Sequence, residues 1–135
     1  MSPLQILLAA AATGGLLLVA PAASAQDLSG AWATDGSSCE KIFVKNGNRV
    51  VLRDDSELHG GGFVIDGNRI RGKATTCDIK ARKIDGPTTH LIASCASDIM
   101  LSSVQLSVRM PDPGTLVRIF PGMSGMELTY KRCTL

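Results

Sequence analysis

Residues 75–95, TTCDIKARKIDGPTTHLIASC, read as two extended segments joined by a tight turn. The central Asp-Gly-Pro is turn-forming, and the flanking segments contain several Thr and Ile residues, which favour strands. A hairpin centred on Gly86 places Cys77 directly opposite Cys95, with both side chains on one face. The stretch therefore predicts an antiparallel hairpin that a disulfide could bridge.

The chain contains four cysteines, Cys39, Cys77, Cys95 and Cys133. Zinc ligands usually occur as closely spaced pairs, whereas the two nearest cysteines here are 18 residues apart, so we predict two disulfides and no metal site. The hairpin register favours Cys77 with Cys95 and leaves Cys39 with Cys133, a bond that would join the first long strand to the last. The alternative pairing, Cys39 with Cys77 and Cys95 with Cys133, ranks a close second.

Two further hairpins are predicted on the N-terminal side of this one. Residues 41–45 (KIFVK) and 49–53 (RVVLR) flank an Asn-Gly-Asn turn, so their apolar residues can share one face. Residues 62–66 (GFVID) and 69–73 (RIRGK) flank a Gly-Asn turn. Gly72 is expected to bend the chain before the central hairpin, because one unbroken strand would be too long.

Alternation of apolar and polar residues continues along the chain, with turn residues about every eight to twelve positions. Further strands are expected at 28–34, 101–110, 115–120 and 126–132. Short turns favour a meander, and closing it into a barrel removes exposed sheet edges. The predicted fold class is all-β: a small antiparallel up-and-down barrel, or barrel-like meander, of about eight or nine strands with two disulfides.

The inward faces of these strands predict the hydrophobic core. Its expected members are Trp32, Ile42, Val44, Val50, Leu52, Phe63, Ile65, Ile70, Ile79, Leu91, Ala93, Val104, Leu106, Val108, Val117, Ile119, Leu128 and Tyr130. The chain has one Trp, one Tyr and three Phe, so aliphatic side chains must fill most of the interior.

The N-terminal segment has the pattern of a secretory signal peptide. Residues 4–19 carry no charge, and the Ala-Ser-Ala at 23–25 is a small-x-small motif that signal peptidase accepts. A membrane-spanning helix needs about 20 apolar residues, so no stable membrane insertion is expected. We predict a signal peptide over 1–25, cleaved near Ala25, and a single β-barrel-like domain over 26–135, periplasmic or secreted.

Composition excludes some classes of partner. The predicted mature chain holds all 14 Lys and Arg residues and all 12 Asp and Glu residues, for a net charge of +2. A dedicated nucleic-acid binder usually has a strongly basic domain, so no nucleic-acid partner is expected. The expected partner is a protein or a component of the cell envelope, of unknown identity.

Several segments resemble a family of small, uncharacterised exported (periplasmic) proteins of Gram-negative bacteria with two disulfides. They are Gly30-Ala31-Trp32, Cys39, Gly61-Gly62-Phe63, Arg69-Ile70-Arg71-Gly72, Cys77, Cys95 and Tyr130-Lys131-Arg132-Cys133. The resemblance covers the whole mature chain and implies no known activity. The G-x-W motif is also similar to the opening of lipocalin-like barrels and of bacterial alkaline-protease-inhibitor barrels.

Residues with catalytic or metal-binding potential are few. Residues 59–62 (HGGG) are similar to the oxyanion loop of lipases and esterases, but no nucleophile motif accompanies them, and they read as a flexible loop and bulge before a strand. The cluster Asp54, Asp55, Glu57 and His59 lacks calcium-loop spacing. His90 reads as a structural strand residue. We therefore predict no catalytic residue, no metal and no cofactor.

A possible binding patch combines alternating basic residues with one apolar loop tip. Its members are Arg69, Arg71, Lys73, Lys80, Arg82 and Met123. Alternation would place the basic side chains outside the sheet, where they could meet phosphate or carboxylate groups. Met123 stands in a Gly-rich loop, and methionine adapts easily to a partner surface.

The favoured functional prediction is a non-enzymatic binding or inhibitor module that acts through surface loops. The alternative is a lipocalin-like carrier of a small apolar ligand held inside the barrel, and a small hydrolase comes third. A continuous interior cavity would favour the carrier, whereas a packed interior would favour the surface binder. A hydrolase would need His59 or His90 within hydrogen-bond reach of a serine and a carboxylate in one pocket.

Overall fold

The computed structural model describes residues 18–20 and 25–135, so most of the predicted signal peptide, 1–25, lies outside the described residues. Within them the chain forms ten strands, one short helix and two 3₁₀ turns. The strands are β1 Gly30–Ala33, β2 Phe43–Asn46, β3 Arg49–Leu52, β4 Gly62–Asp66, β5 Arg69–Arg71, β6 Thr76–Asp85, β7 Thr88–Ala96, β8 Leu101–Asp112, β9 Thr115–Ile119 and β10 Glu127–Cys133. Helix α1 is Cys39–Ile42, and the 3₁₀ turns are Gly36–Ser38 and Ser56–His59.

Eight strands close into one antiparallel barrel in the order β1-β10-β9-β8-β7-β6-β5-β4. Strand β1 completes the closure because Trp32 lies opposite Arg132 of β10 on one side and opposite Phe63 of β4 on the other. Strands β2 and β3 form a separate two-stranded sheet. The predicted all-β barrel with two disulfides is confirmed.

The disulfides join Cys39 to Cys133 and Cys77 to Cys95, which is the preferred pairing. Strands β6 and β7 pair around the predicted turn with Cys77 opposite Cys95. The chain leaves strand conformation at Gly72, between β5 and β6, as expected. Two disulfides indicate an oxidising, extracytoplasmic environment.

The first predicted hairpin forms, as β2 paired with β3, but it begins at Phe43 and lies outside the barrel. Residues 34–61, here called the excursion, leave the barrel after β1, and Cys39 lies in helix α1 rather than in a strand. Turn chemistry explains the departure: the Asp35 carboxylate accepts hydrogen bonds from the hydroxyl and the backbone N–H of Ser37 at 2.8 and 2.9 Å, and these bonds lower the pKa of Asp35. The Cys39–Cys133 bond therefore ties the excursion to β10 and does not join two barrel strands.

Two hydrophobic cores share the wall formed by β1, β4 and β10. The inner core lies inside the barrel and consists of Leu28, Trp32, Ile65, Ile79, Leu91, Val108 and Leu116. The outer core packs Ile42 and Phe43 of the excursion against the outward side chains of Ala31, Ala33, Val64 and Cys133. Small alanines on the outside of β1 let the excursion approach closely. The sequence-based core omitted Leu28, Phe43 and Leu116, which are all buried.

The predicted inward face of β9 is wrong. Val117 and Ile119 were expected inside, but Leu116 belongs to the inner core, and its alternate neighbour Arg118 lines the interior. Val117 is buried on the outside of the barrel instead. Its partner on β8, Arg109, forms an ion pair there with Glu127 of β10 at 2.9 Å. Leu128, also predicted as core, is 43% exposed.

Candidate functional site

The two ends of the barrel differ in how they are covered. The closed end carries the tight turns β4–β5, β6–β7 and β8–β9, together with the segment before β1. The open end carries the connections β5–β6, β7–β8 and β9–β10, and the excursion departs from it. This assignment follows from the antiparallel pairing of neighbouring strands.

A plug built on Trp32 seals the closed end. Trp32 and Leu28 are buried, and the indole N–H donates to the Leu28 carbonyl at 2.9 Å. The Arg132 guanidinium lies 4.3 Å from the centre of the Trp32 ring, a cation–π geometry. Arg132 also donates to the carbonyls of Pro113, at 2.7 Å, and Ser29. The planar, many-donor guanidinium thus joins the first and last strands across this end.

Gly30 of the G-x-W motif is required by the same plug. Its φ is +146°, a value that side chains rarely adopt, and a Cβ there would lie 2.6 Å from Nη1 of Arg132. Asp27 lies on the chain that leads into the plug. The backbone N–H of Ser29 donates to its carboxylate at 2.9 Å and lowers the pKa of Asp27.

An apolar cavity of about 100 Å³ lies inside the barrel. Side chains from six antiparallel strands line it: Phe63, Ile65, Ile70, Leu91, Leu106, Val108, Leu116, Arg118 and Tyr130. The ring of Tyr130 meets that of Phe63 edge-on at 4.9 Å, which fixes one wall. The inner core is therefore incompletely filled.

The cavity opens toward the open end of the barrel. On each of β4, β8 and β9, the lining residue nearer the closed end is buried. The lining residue that lies two positions nearer the open end on the same strand is partly exposed. The buried residues are Ile65, Val108 and Leu116, and their partly exposed neighbours are Phe63, Leu106 and Arg118. We call this partly exposed side of the cavity the mouth.

Arg118 is the charged residue of the lining. It pairs with Val108 of β8 and Leu128 of β10, so its neighbours across both strands are apolar. Its guanidinium carbon lies 4.7 Å from the centre of the Phe120 ring. A sequence-based assignment missed it because an arginine after two apolar residues reads as outward. Its position two residues after the apolar Leu116 was the feature of the sequence that could have indicated an inward side chain.

Apolar side chains are exposed on two loops at the open end. Ile99 in the β7–β8 connection is 93% exposed, and Leu101 at the start of β8 is 82% exposed. Met123 in the β9–β10 connection is 57% exposed. Because β8 and β9 are neighbours in the barrel, these two connections lie side by side. We call these residues the rim.

The predicted basic patch does not form one cluster. Arg69 pairs with Asp78 at 3.2 Å, and Arg71 donates to the Val50 carbonyl of the excursion at 3.5 Å. Two more members of the patch also make internal contacts. The Lys73 ammonium donates a hydrogen bond to the Arg53 carbonyl at 3.2 Å, and Arg82 donates one to the Gly67 carbonyl at 2.8 Å.

The last two members of the patch are also separated. Residue 80 falls at a β-bulge between Ile79 and Ala81, which breaks the predicted alternation of Lys80 with Arg82. Met123 lies on the rim, in the β9–β10 connection, whereas Arg69 and Arg82 lie near the β4–β5 turn at the other end. Two of the five basic side chains, Arg71 and Lys73, therefore tie the barrel to the excursion, and Arg69 and Arg82 make contacts within the barrel.

The glycine tract at 59–62 is close-packed against the end of β1. The Gly61 N–H donates to the Thr34 hydroxyl oxygen at 3.0 Å, and the Thr34 N–H donates to the Gly61 carbonyl at 2.9 Å. The Gly61 N–H is thus engaged internally rather than presented to a ligand. In the nearby acidic cluster, Asp55 Oδ2 lies 3.9 Å from His59 Nε2, and Asp54 Oδ1 lies 3.4 Å from Lys73 Nζ.

His90 lies beside a serine and a carboxylate on the outside of the barrel. Its Nδ1 lies 2.8 Å from the Ser107 hydroxyl oxygen, and its Nε2 lies 3.7 Å from Asp85 Oδ2. Ser107 is only 1% exposed, and a nucleophile must reach its substrate. The arrangement satisfies a buried hydroxyl, which is a structural role.

Over residues 18–20 and 25–135, no group of three His, Cys, Asp or Glu side chains is arranged to hold a metal ion. In the same part of the chain, no helix has the length and apolar character needed to cross a membrane. Comparison of the chain with protein-family models, with curated proteins and with solved structures gives no significant match.

Proposed function

We propose that the protein is a non-enzymatic binding protein of the periplasm or the cell exterior, exported by its N-terminal signal peptide, which holds a small ligand inside the barrel. The apolar cavity behind the mouth supports this function above the others. Protein cores are normally close-packed, so a void in a barrel of this size is a feature to explain. The G-x-W resemblance to lipocalin-like barrels agrees with interior binding.

The size of the cavity limits the ligand. An engineered apolar cavity of about 150 Å³ takes up benzene, whereas sites for drug-sized molecules measure about 300–1,000 Å³. A cavity of about 100 Å³ therefore suits one small ring or a short aliphatic chain, with further atoms of the ligand in the mouth.

Benzene titration of the exported, oxidised protein tests the proposal. We expect saturable NMR shifts of the Val108 and Leu116 methyl groups, which line the cavity. Leu106→Trp should abolish them because the indole fills the cavity from the mouth. Ile92→Trp is the matched control, since Ile92 is exposed on the outer face of β7. Methyl shifts that do not saturate, or that survive Leu106→Trp, would contradict interior binding.

Docking of an envelope protein onto the rim is the second candidate, and the exposed apolar side chains of the rim favour it. The same variants separate the two functions. A protein that docks on the rim would bind wild type and Leu106→Trp equally, because the filled cavity is not part of that surface. An interior ligand would be lost from Leu106→Trp alone.

A further inference from the structure

We propose that the ligand of the cavity is an amphipathic anion, whose apolar part occupies the barrel and whose anionic group binds Arg118 at the mouth. This inference rests on the proposed function and adds the chemical class of the ligand. The observation that carries it is a partly buried arginine, Arg118, which borders an apolar cavity and has no counter-ion among the residues that the structure describes.

The surroundings of Arg118 leave its charge uncompensated. Within residues 18–20 and 25–135, its guanidinium makes no hydrogen bond or ion pair, and its contact is with the Phe120 ring. The carboxylate that β10 contributes, that of Glu127, accepts a hydrogen bond from Arg109 at 2.9 Å on the outside of the barrel. A guanidinium has five N–H donors, and leaving them partly desolvated without acceptors is unfavourable.

Other arginines of the barrel behave differently. Arg132 at the closed end donates to backbone carbonyls, Arg109 pairs with Glu127, and Arg69 pairs with Asp78. Their roles in holding strands together are visible in these bonds. Arg118 makes no such bond within the described residues, so its donors remain available to a molecule that enters through the mouth.

The geometry also orients the ligand. Leu116 lies two positions deeper than Arg118 on β9 and is fully buried, and Val108 lies beside Arg118 on β8. A ligand anchored on the guanidinium therefore points its apolar end toward the sealed closed end. Carboxylates suit this position because guanidinium binds them through two parallel hydrogen bonds. The cavity volume limits the apolar end to about six carbons or one ring.

Three probes of equal chain length test the inference on the wild-type exported protein: hexanoate, 1-hexanol and hexylamine. NMR titration should show hexanoate binding about tenfold more tightly than 1-hexanol, as one charge-assisted hydrogen bond predicts. Hexylamine should bind most weakly, because its cation meets Arg118. Equal affinities for hexanoate and 1-hexanol would overturn the role of Arg118 and leave interior binding intact. Failure of both to bind would overturn interior binding itself.

Variants of Arg118 test whether the anionic group of the ligand binds at this residue. Arg118→Gln should lower hexanoate affinity about tenfold and leave 1-hexanol affinity unchanged, and Arg118→Lys should restore part of the preference. Arg49→Gln is the matched control, since it removes the same charge from the exposed β2–β3 hairpin. If Arg49→Gln weakens hexanoate as much as Arg118→Gln does, the preference is a net-charge effect and the inference fails. The three-probe comparison needs no variant, so it decides even if Arg118→Gln does not fold.

Discussion

Gly62 is the residue on which the two cores meet. A Cβ at this position would lie 2.7 Å from Cζ of Phe43 and 2.9 Å from the carbonyl oxygen of Trp32. We expect Gly62→Ala to destabilise the protein by about 1–3 kcal/mol, the usual cost of overpacking, because neither the ring nor the β1 backbone can move away freely. Urea unfolding followed by circular dichroism would measure the change.

Two comparisons isolate this steric effect. Gly61→Ala introduces the same methyl one position earlier, where the nearest atom is 3.8 Å away, so its free energy of unfolding should stay within about 0.5 kcal/mol of wild type. Adding Phe43→Leu to Gly62→Ala should recover part of the loss, because the shorter side chain removes the closest contact. Equal stability of the two alanine variants would show that the excursion does not pack tightly on Gly62.

The glycine tract also shows where a residue pattern misleads. The HGGG sequence predicted a flexible loop, since consecutive glycines have no side chains to pack. In the fold, Phe43, which lies 19 residues earlier in the chain, packs closely against Gly62. Such a contact depends on tertiary packing, so no local property of the tract could predict it.

At the scale of the element, the excursion is held to the barrel by Cys39–Cys133 and the outer core. This bond closes a loop of 94 residues, whereas Cys77–Cys95 closes one of 18. Loop entropy predicts that removing the first costs about 4–5 kcal/mol and the second about 3 kcal/mol. Paired Cys→Ala variants and urea unfolding would measure both. If loss of Cys77–Cys95 cost more, packing inside the barrel rather than chain entropy would govern disulfide stabilisation here.

Elements with explicit turn chemistry were predictable, and those set by tertiary context were not. The Asp-Gly-Pro turn placed Cys77 opposite Cys95, and the observed register agrees. The segment 41–45 alternates like a strand, yet Ile42 ends a helix and is buried beside Phe43. Alternation at two positions cannot distinguish a strand from one helical turn followed by a strand. The excursion was therefore assigned to the barrel.

At the scale of the whole molecule, closure was predictable and the hollow interior was not. Unpaired edges disfavour an open sheet of this size, so a barrel followed from the number of strands. Whether side chains fill that barrel depends on which faces point inward. The inward position of Arg118 and the half-exposed Leu128 leave the mouth open, whereas the predicted inward residues of β9 would have left no charge at the cavity.

A cavity lowers the free energy of unfolding, so ligand binding favours an empty interior and stability favours a filled one. Void volume costs about 24 cal/mol per Å³, or about 2 kcal/mol for this cavity. We therefore expect Leu106→Trp, which fills the cavity, to raise the free energy of unfolding of the unliganded protein by about 1 kcal/mol while it abolishes ligand binding. Ile92→Trp on the outer face should change neither property. Thermal unfolding with and without hexanoate measures both: the ligand should raise the midpoint of wild type and leave that of Leu106→Trp unchanged. A Leu106→Trp protein that is less stable than wild type would mean that the interior is already packed, and that the cavity is not the binding site.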